Sequence, residues 1–170
     1  VERLSSETAF SGHAVDMVVS RFRRADGEEV EREVVEHPGS VAILAHDDEV
    51  VYLVRQPREA VGEDGLLEIP AGTLDVEGET ELECAQRELS EEADLRAENW
   101  ELLKTVYPSP GVLSEKVWIF AATGLSPAPG TSDEDERIEV VRLPLGEIDS
   151  ALEEIEDATT VIALLMLRQA

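Results

Sequence analysis

Residues 87–92 read Arg-Glu-Leu-Ser-Glu-Glu. On a helix, Glu88, Glu91 and Glu92 stand at i, i+3 and i+4 and share one face. Like charges at that spacing weaken a helix by roughly a few tenths of a kcal/mol per pair, and a divalent cation offsets that repulsion. A hard ion such as magnesium takes oxygen ligands and keeps several waters, which suits a row of carboxylates beside a phosphate. Arg87 can pair with one carboxylate and fix its orientation. Acidic runs on helices are more often only solvated faces, but the flanking residues argue against that here. Pro70-Ala71-Gly72 is a tight turn leading out of a strand, and residues 72–78 lead into the helix. Strand, loop and acidic face therefore converge, and the backbone carbonyl of Ala71 can face the same ion.

The elements that must position these residues are legible as patterns. Thr80 and Glu83 have capping-box spacing, so the helix begins near Glu81. Leu82, Ala85 and Leu89 make its buried face, and it ends near Ala93-Asp94. Upstream, residues 13–24 and 28–36 are strands joined at Asp26-Gly27, a hairpin signal. Two apolar strands, 40–46 and 49–56, flank a turn at Asp47-Asp48; residues 57–65 are loop, and 66–72 form a short strand. Further strands are expected at 100–107, 116–123 and 138–143, and helices at 145–155 and 158–169. Strands interleaved with few helices give a mixed sheet with helices on its faces.

The bulk properties restrict the partners. The 170 residues fit one ordinary domain. Thirty-nine acidic against fourteen basic residues leave a formal charge of −25, which repels nucleic-acid phosphates but not a small anion held through a metal. The longest apolar run, 161–167, is far too short for a membrane span. Residues 1–10 are polar and lack the layout of a signal peptide. The single cysteine, Cys84, excludes an internal disulfide and reads as a packing residue. His13, His37 and His46 do not cluster at metal-ligand spacing. The expectation is a cytoplasmic protein that binds neither nucleic acid nor membrane.

The segment 72–95 resembles the Nudix box, G-x5-E-x7-R-E-U-x-E-E-x-G-U with U aliphatic, in Gly72, Glu79, Arg87, Glu88, Leu89, Glu91, Glu92 and Leu95. There are two departures. Six residues rather than five separate Gly72 from Glu79, in a loop where insertion is cheap. Asp94 stands where the family has glycine; this helix-ending position calls for left-handed backbone, which Asp is among the few other residues to adopt. Further segments resemble the ADP-ribose pyrophosphatase branch: 55–58, 68–72, Ser109-Pro110-Gly111 followed by Ser114-Glu115, and the closing helix.

The resemblance implies an α/β fold, a Nudix-type α/β/α sandwich with a mixed sheet and an N-terminal antiparallel strand pair. Residues 1–38 would serve dimerisation and 39–170 catalysis, within one structural unit and a homodimer. The implied activity is Mg2+-dependent hydrolysis (Mn2+ a substitute) of a small nucleotide sugar, ADP-ribose, to AMP and ribose 5-phosphate. The implied metal ligands are Glu88, Glu91, Glu92 and the Ala71 carbonyl, with Glu68 as an outer ligand. Arginine forks suit phosphate oxygens, which makes Arg58, and then Arg55, candidates for the diphosphate. Arg32 can stack on adenine, with Pro110 and Gly111 at the substrate. The general base is implied on a loop after the box, at Glu136 or alternatively Glu134. Two rivals stand beside this reading: a Nudix hydrolase for another nucleoside diphosphate sugar or a dinucleoside polyphosphate, and a non-hydrolytic ADP-ribose sensor.

Overall fold

The hairpin turn at Asp26-Gly27 forms because Gly27 takes φ 88° without a side-chain clash. The computed structural model describes residues 1–12, 15–128 and 137–169, and in it this turn joins β2 (Asp16–Arg23) to β3 (Glu29–Glu36). The expected antiparallel pair is present in full register. It also carries a strand that the polar composition of residues 1–10 concealed: β1 (Glu2–Ser11) pairs antiparallel with β2. β1 is exposed on nearly every residue, so no apolar alternation marks it. Residues 107–116 belong to this same unit. The Val35 N–H donates to the Val112 carbonyl at 2.8 Å, and the Ser114 N–H to the Val35 carbonyl at 3.0 Å.

The second unit comprises residues 40–106 and the described residues from 117 onward. Its strands are β4 (Ser40–His46), β5 (Val50–Arg58), β6 (Glu63–Glu68) and β7 (Ala71–Thr73). Helix α1 (Glu81–Ala93) and the short β8 (Leu95–Arg96) follow. Next come β9 (Asn99–Val106), β10 (Val117–Thr123), β11 (Ser126–Pro127) and β12 (Glu139–Pro144). A 3-10 turn, α2 (Ile148–Ala151) and α3 (Ala158–Leu167) close the described chain. The main sheet runs β12-β5-β4-β10-β9, with β4 and β10 parallel and the other neighbours antiparallel. It is the mixed sheet of the expected α/β sandwich.

The residues of β4 divide the core in two. Val41, Ile43 and Ala45 face Cys84, Ala85 and Leu89 of α1. Ala42 and Leu44 face the other way, toward Ala163 and Leu164 of α3. This alternation is the period of a strand buried on both faces.

The sheet forks beside α1. β4 pairs with β5 only at Ala45–Tyr52 and His46–Val51. Beyond that point β6 pairs with β5 and β7 with β4. The segment expected as one short strand, 66–72, is therefore two strands joined by a corner at Ile69-Pro70. A proline that cannot donate to a ladder marks such a break. β5 also runs two residues further than expected, and β6 begins at Glu63, so the loop between them is shorter than the glycines and Pro57 suggested. The helix expected over 145–155 is reduced to a 3-10 turn and a single α-helical turn.

Candidate active site

Helix α1 forms where its caps require. Thr80 Oγ1 accepts from the Glu83 N–H, and the Glu83 carboxylate accepts from the Thr80 N–H at 2.9 Å, closing the capping box. Asp94 ends the helix at φ 55°, ψ 34°, left-handed as expected of a residue in the family's glycine position, with its N–H on the Leu89 carbonyl. The helix buries Cys84, Ala85, Leu89 and Ala93, and with them one charged residue, Glu92.

The three carboxylates of the acidic face have different surroundings. Glu92 is 8% exposed, and its Oε2 accepts from the Ala71 N–H at 2.9 Å. Glu88 lies against Gly72: a Cβ built on that glycine would be 1.9 Å from Glu88 Cδ and 2.0 Å from Oε1. Only a residue without a side chain leaves room for this carboxylate. Glu91 is the most open of the three and bonds Arg87 Nη1 at 2.9 Å.

Arg87 gathers the acidic face. Its Nε and Nη2 both reach Glu79 at 3.0 Å, a two-pronged fork, while Nη1 donates to Glu88 at 2.6 Å and to Glu91. The bonds to Glu79 raise the arginine's pKa above its ordinary value, against the effect of burial. The same fork holds the Glu79 carboxyl below the usual range. Glu79 is thus the far jaw of the clamp, a role that its place in the box motif signals by spacing alone. Burial pushes the Cys84 thiol up to about 12, so it is an inert packing group, as expected.

On the sheet side, Glu68 ends β6 almost fully buried. Arg58 donates to it from Nε at 3.0 Å and from Nη2 at 2.7 Å, and Gln56 Nε2 donates at 3.1 Å. Burial works against the charge on Arg58, but the bonds to Glu68 and the further negative charges of Glu92 and Asp157 outweigh it and raise its pKa. Gln56 lies in the segment 55–58 that carries the resemblance, but nothing in its type or spacing singles it out as a site residue. Its partner is set by the β5–β6 register, which the pattern of residues does not reveal.

The structure brings Glu68, Arg58, Ala71, Gly72, Glu88, Glu91 and Glu92 to the fork of the sheet. Arg55 points elsewhere: its Nη1 donates to the Gly65 carbonyl at 3.0 Å, and it lines a cavity with Ser150 and Glu154. Arg32 lies in the N-terminal unit, where it lines a cavity of about 370 Å³ with Phe22, Val34, Pro110 and Gly111. Glu134 and Glu136 fall outside the described residues, as does His13. Among the described residues, no three acidic, histidine or cysteine side chains surround a single point; Arg87, Arg58 and the Ala71 N–H hold these carboxylates. The donors are nonetheless all hard oxygens, and Gly72 clears the space that Glu88 takes. This set suits a hard divalent cation rather than a soft metal.

Known proteins resemble this chain in sequence and fold. A model of the NUDIX domain matches residues 36–165. The chain is 37% identical over 174 residues to the ADP-ribose pyrophosphatase of Bacillus subtilis, spanning 98% of this chain and 93% of the relative. It is 36% identical over 170 residues to a methanol dehydrogenase activator of Bacillus methanolicus, spanning 97% and 91%. A crystal structure described as an ADP compounds hydrolase superposes with a TM-score of 0.83 at 28% identity, covering 98% of this chain and 91% of that one. The box residues, the forked sheet that seats them and these likenesses together make the chain a member of the Nudix hydrolase family.

Proposed function

We propose that this chain hydrolyses the diphosphate of ADP-ribose to AMP and ribose 5-phosphate, with Mg2+ as the working ion and Mn2+ as a substitute. The observation that carries the reading is the juxtaposition, at one fork of the sheet, of an acidic helix face and a buried-carboxylate-braced arginine. The relatives' names favour ADP-ribose within the family. Glu88, Glu91, Glu92 and the Ala71 carbonyl would hold the cation, with Glu68 behind them. Bound there, the ion supplies Lewis acidity toward phosphate oxygens and lowers the pKa of a coordinated water.

The chain's own residues do the rest. Glu92, fixed by the Ala71 N–H, and Glu88, seated on Gly72, are held in place before substrate arrives, which avoids reorganisation at the moment of reaction. Arg58 is braced by Glu68 through two donors, so its remaining N–H groups can bind a phosphate oxygen with little loss of side-chain freedom. Glu136, or alternatively Glu134, takes the proton from the attacking water. That water's oxygen ends on one product phosphate as the bridging P–O bond breaks, and the other phosphate leaves with the bridging oxygen. Arg32, through stacking on adenine, and Pro110 and Gly111 are substrate-binding candidates, and Arg55 is a weaker candidate than Arg58 for the diphosphate. Residues 1–38 serve a homodimer beside the catalytic portion, 39–170, and the setting is cytoplasmic. The wide exposure of β1 and of Phe10 supports an assembly role for the N-terminal strands.

The test is product analysis of ADP-ribose, ADP-glucose and a dinucleoside polyphosphate with Mg2+, wild type beside Glu92→Gln. AMP released chiefly from ADP-ribose and lost in the variant is the expected result. Turnover of another substrate in preference would discard ADP-ribose and keep the chemistry. Tight ADP-ribose binding without turnover would replace the enzyme reading with that of a sensor.

A further inference from the structure

The corner Glu68–Ala71 carries two of the groups placed at the cation, the Glu68 carboxylate and the Ala71 carbonyl, and bonds a third, Glu92, and three elements pin it. The Ala71 N–H donates to Glu92 of α1. The Pro70 carbonyl accepts from the Ile43 N–H of β4 at 2.7 Å. The third pin comes from α3, far along the chain. The Ile69 N–H donates to Thr160 Oγ1 at 2.8 Å, and that hydroxyl donates in turn to Asp157 Oδ2 at 2.6 Å. Asp157 is the N-cap of α3 and also accepts from the Thr160 N–H at 2.7 Å. Thr160 is wholly buried in a helix whose residues from Val161 to Leu167 are all apolar. A buried hydroxyl in such a place is costly unless both of its hydrogen-bonding roles are used, and here both are.

We infer that Thr160, oriented by Asp157, is a positioning residue for the cation site: it fixes the Ile69-Pro70 corner and so the Ala71 N–H and carbonyl against Glu92, and Glu68 against Arg58. The inference rests on the cation site placed above. Thr160 touches neither ion nor substrate and acts through the corner's backbone. Valine at this position keeps the shape and removes the hydroxyl, leaving the Ile69 N–H without its acceptor. Serine keeps the hydroxyl and loses only a methyl group.

The test compares wild type, Thr160→Val, Thr160→Ser and Leu164→Val. Leu164 is a buried neighbour on α3, in the same core cluster as Ile69, and its trimming loosens that core without removing a hydrogen bond of the corner. Mn2+ binding to the substrate-free protein is read by electron paramagnetic resonance, thermal stability by calorimetry, and kcat and KM by steady-state assay. Loss of a partner behind a metal ligand costs about 10- to 100-fold in metal affinity or activity. The expected result is therefore a Mn2+ dissociation constant raised at least about tenfold in Thr160→Val and kcat lowered in proportion. KM should be little changed, and Thr160→Ser and Leu164→Val should bind Mn2+ as wild type does. A Thr160→Val protein that melts earlier, as Leu164→Val does, but binds Mn2+ with wild-type affinity would reduce Thr160 to a packing residue and overturn the inference. Failure of the cation site itself would look different, with Glu88→Gln and Glu92→Gln leaving Mn2+ binding unmoved, and it would overturn the inference with it.

Discussion

Gly72→Ala tests whether the Gly72–Glu88 contact sets the reactive geometry. The backbone of Gly72 is not left-handed, so alanine meets no conformational penalty there, and the perturbation is the new methyl group alone. It would lie 1.9 Å from Glu88 Cδ and 2.4 Å from Cγ. Glu88 must therefore withdraw by roughly 1.5 Å to reach ordinary van der Waals contact. A side-chain rotation achieves this cheaply, at about 1 kcal/mol for the weakened bond to Arg87 Nη1, so the fold should survive with a melting temperature within a few degrees of wild type. Activity should not survive so well. A misplacement of about 1 Å in a reacting constellation costs on the order of 100-fold, and kcat/KM for ADP-ribose should fall by that order. The assay is steady-state hydrolysis by Gly72→Ala, Glu88→Gln and the double variant. If glycine acts only by making room for Glu88, the double variant is no slower than Glu88→Gln, because groups acting as one unit are not additive. A Gly72→Ala enzyme within about threefold of wild type, or a double variant in which the two losses multiply, would refute the reasoning.

Three other outcomes follow from the same geometry. Glu92→Gln should lower kcat by about 100-fold or more, since even outer partners of a metal ligand cost about 10- to 100-fold; its thermal stability should hold, because the amide oxygen can still accept the Ala71 N–H, and kinetics beside calorimetry read both. The Arg87 fork depresses the pKa of Glu79 in the folded chain, so the stability it lends is complete above the ordinary value of 4.5 and is lost as pH falls through the lowered value. Melting temperatures taken from pH 6 downward should then fall more steeply for wild type than for Glu79→Gln, and parallel curves would remove the clamp from the account. The charge of −25 makes the folded chain repel itself, so the melting temperature should rise between 0.1 M and 1 M KCl as the screening length contracts from about 10 Å to about 3 Å; a flat salt series would mean that the acidic surface is already locally paired.

What the sequence made legible is what local physics decides. The capping box at Thr80 and Glu83, the left-handed stop at Asp94 and the turn at Gly27 each depend on residues within one turn of chain, and each stands where its pattern places it. The apolar strands β4 and β10 were equally plain because both faces of each are buried. β1 was not legible, since a strand exposed along nearly its whole length has no alternation to read. The fork was not legible either. That β5 leaves β4 for β6 depends on pairing register across the sheet, which no short window contains. Arg55 and Arg58 show the consequence: three residues apart and alike in type, they point to opposite faces of β5, and the β5–β6 pairing then gives them different partners, the Gly65 carbonyl and the Glu68 carboxylate.

The acidic helix face shows the same division at closer range. Spacing put Glu88, Glu91 and Glu92 together but could not distinguish them, because the i, i+3, i+4 rule concerns only the helix itself. The distinction comes from what packs on the helix. β7 supplies the Gly72 that Glu88 lies against and the Ala71 N–H that Glu92 accepts, and it supplies nothing of the kind to Glu91. Glu91 is correspondingly the more exposed and leans on Arg87, a partner on its own helix. Arg87 also answers the question that the sequence raised about repulsion. A guanidinium bonded to Glu79, Glu88 and Glu91 already offsets the like charges before any cation arrives. The acidic face is therefore compatible with a folded helix on its own, and the convergence of Ala71, Gly72 and Glu92 at the fork, rather than the density of charge, is what makes it a candidate site.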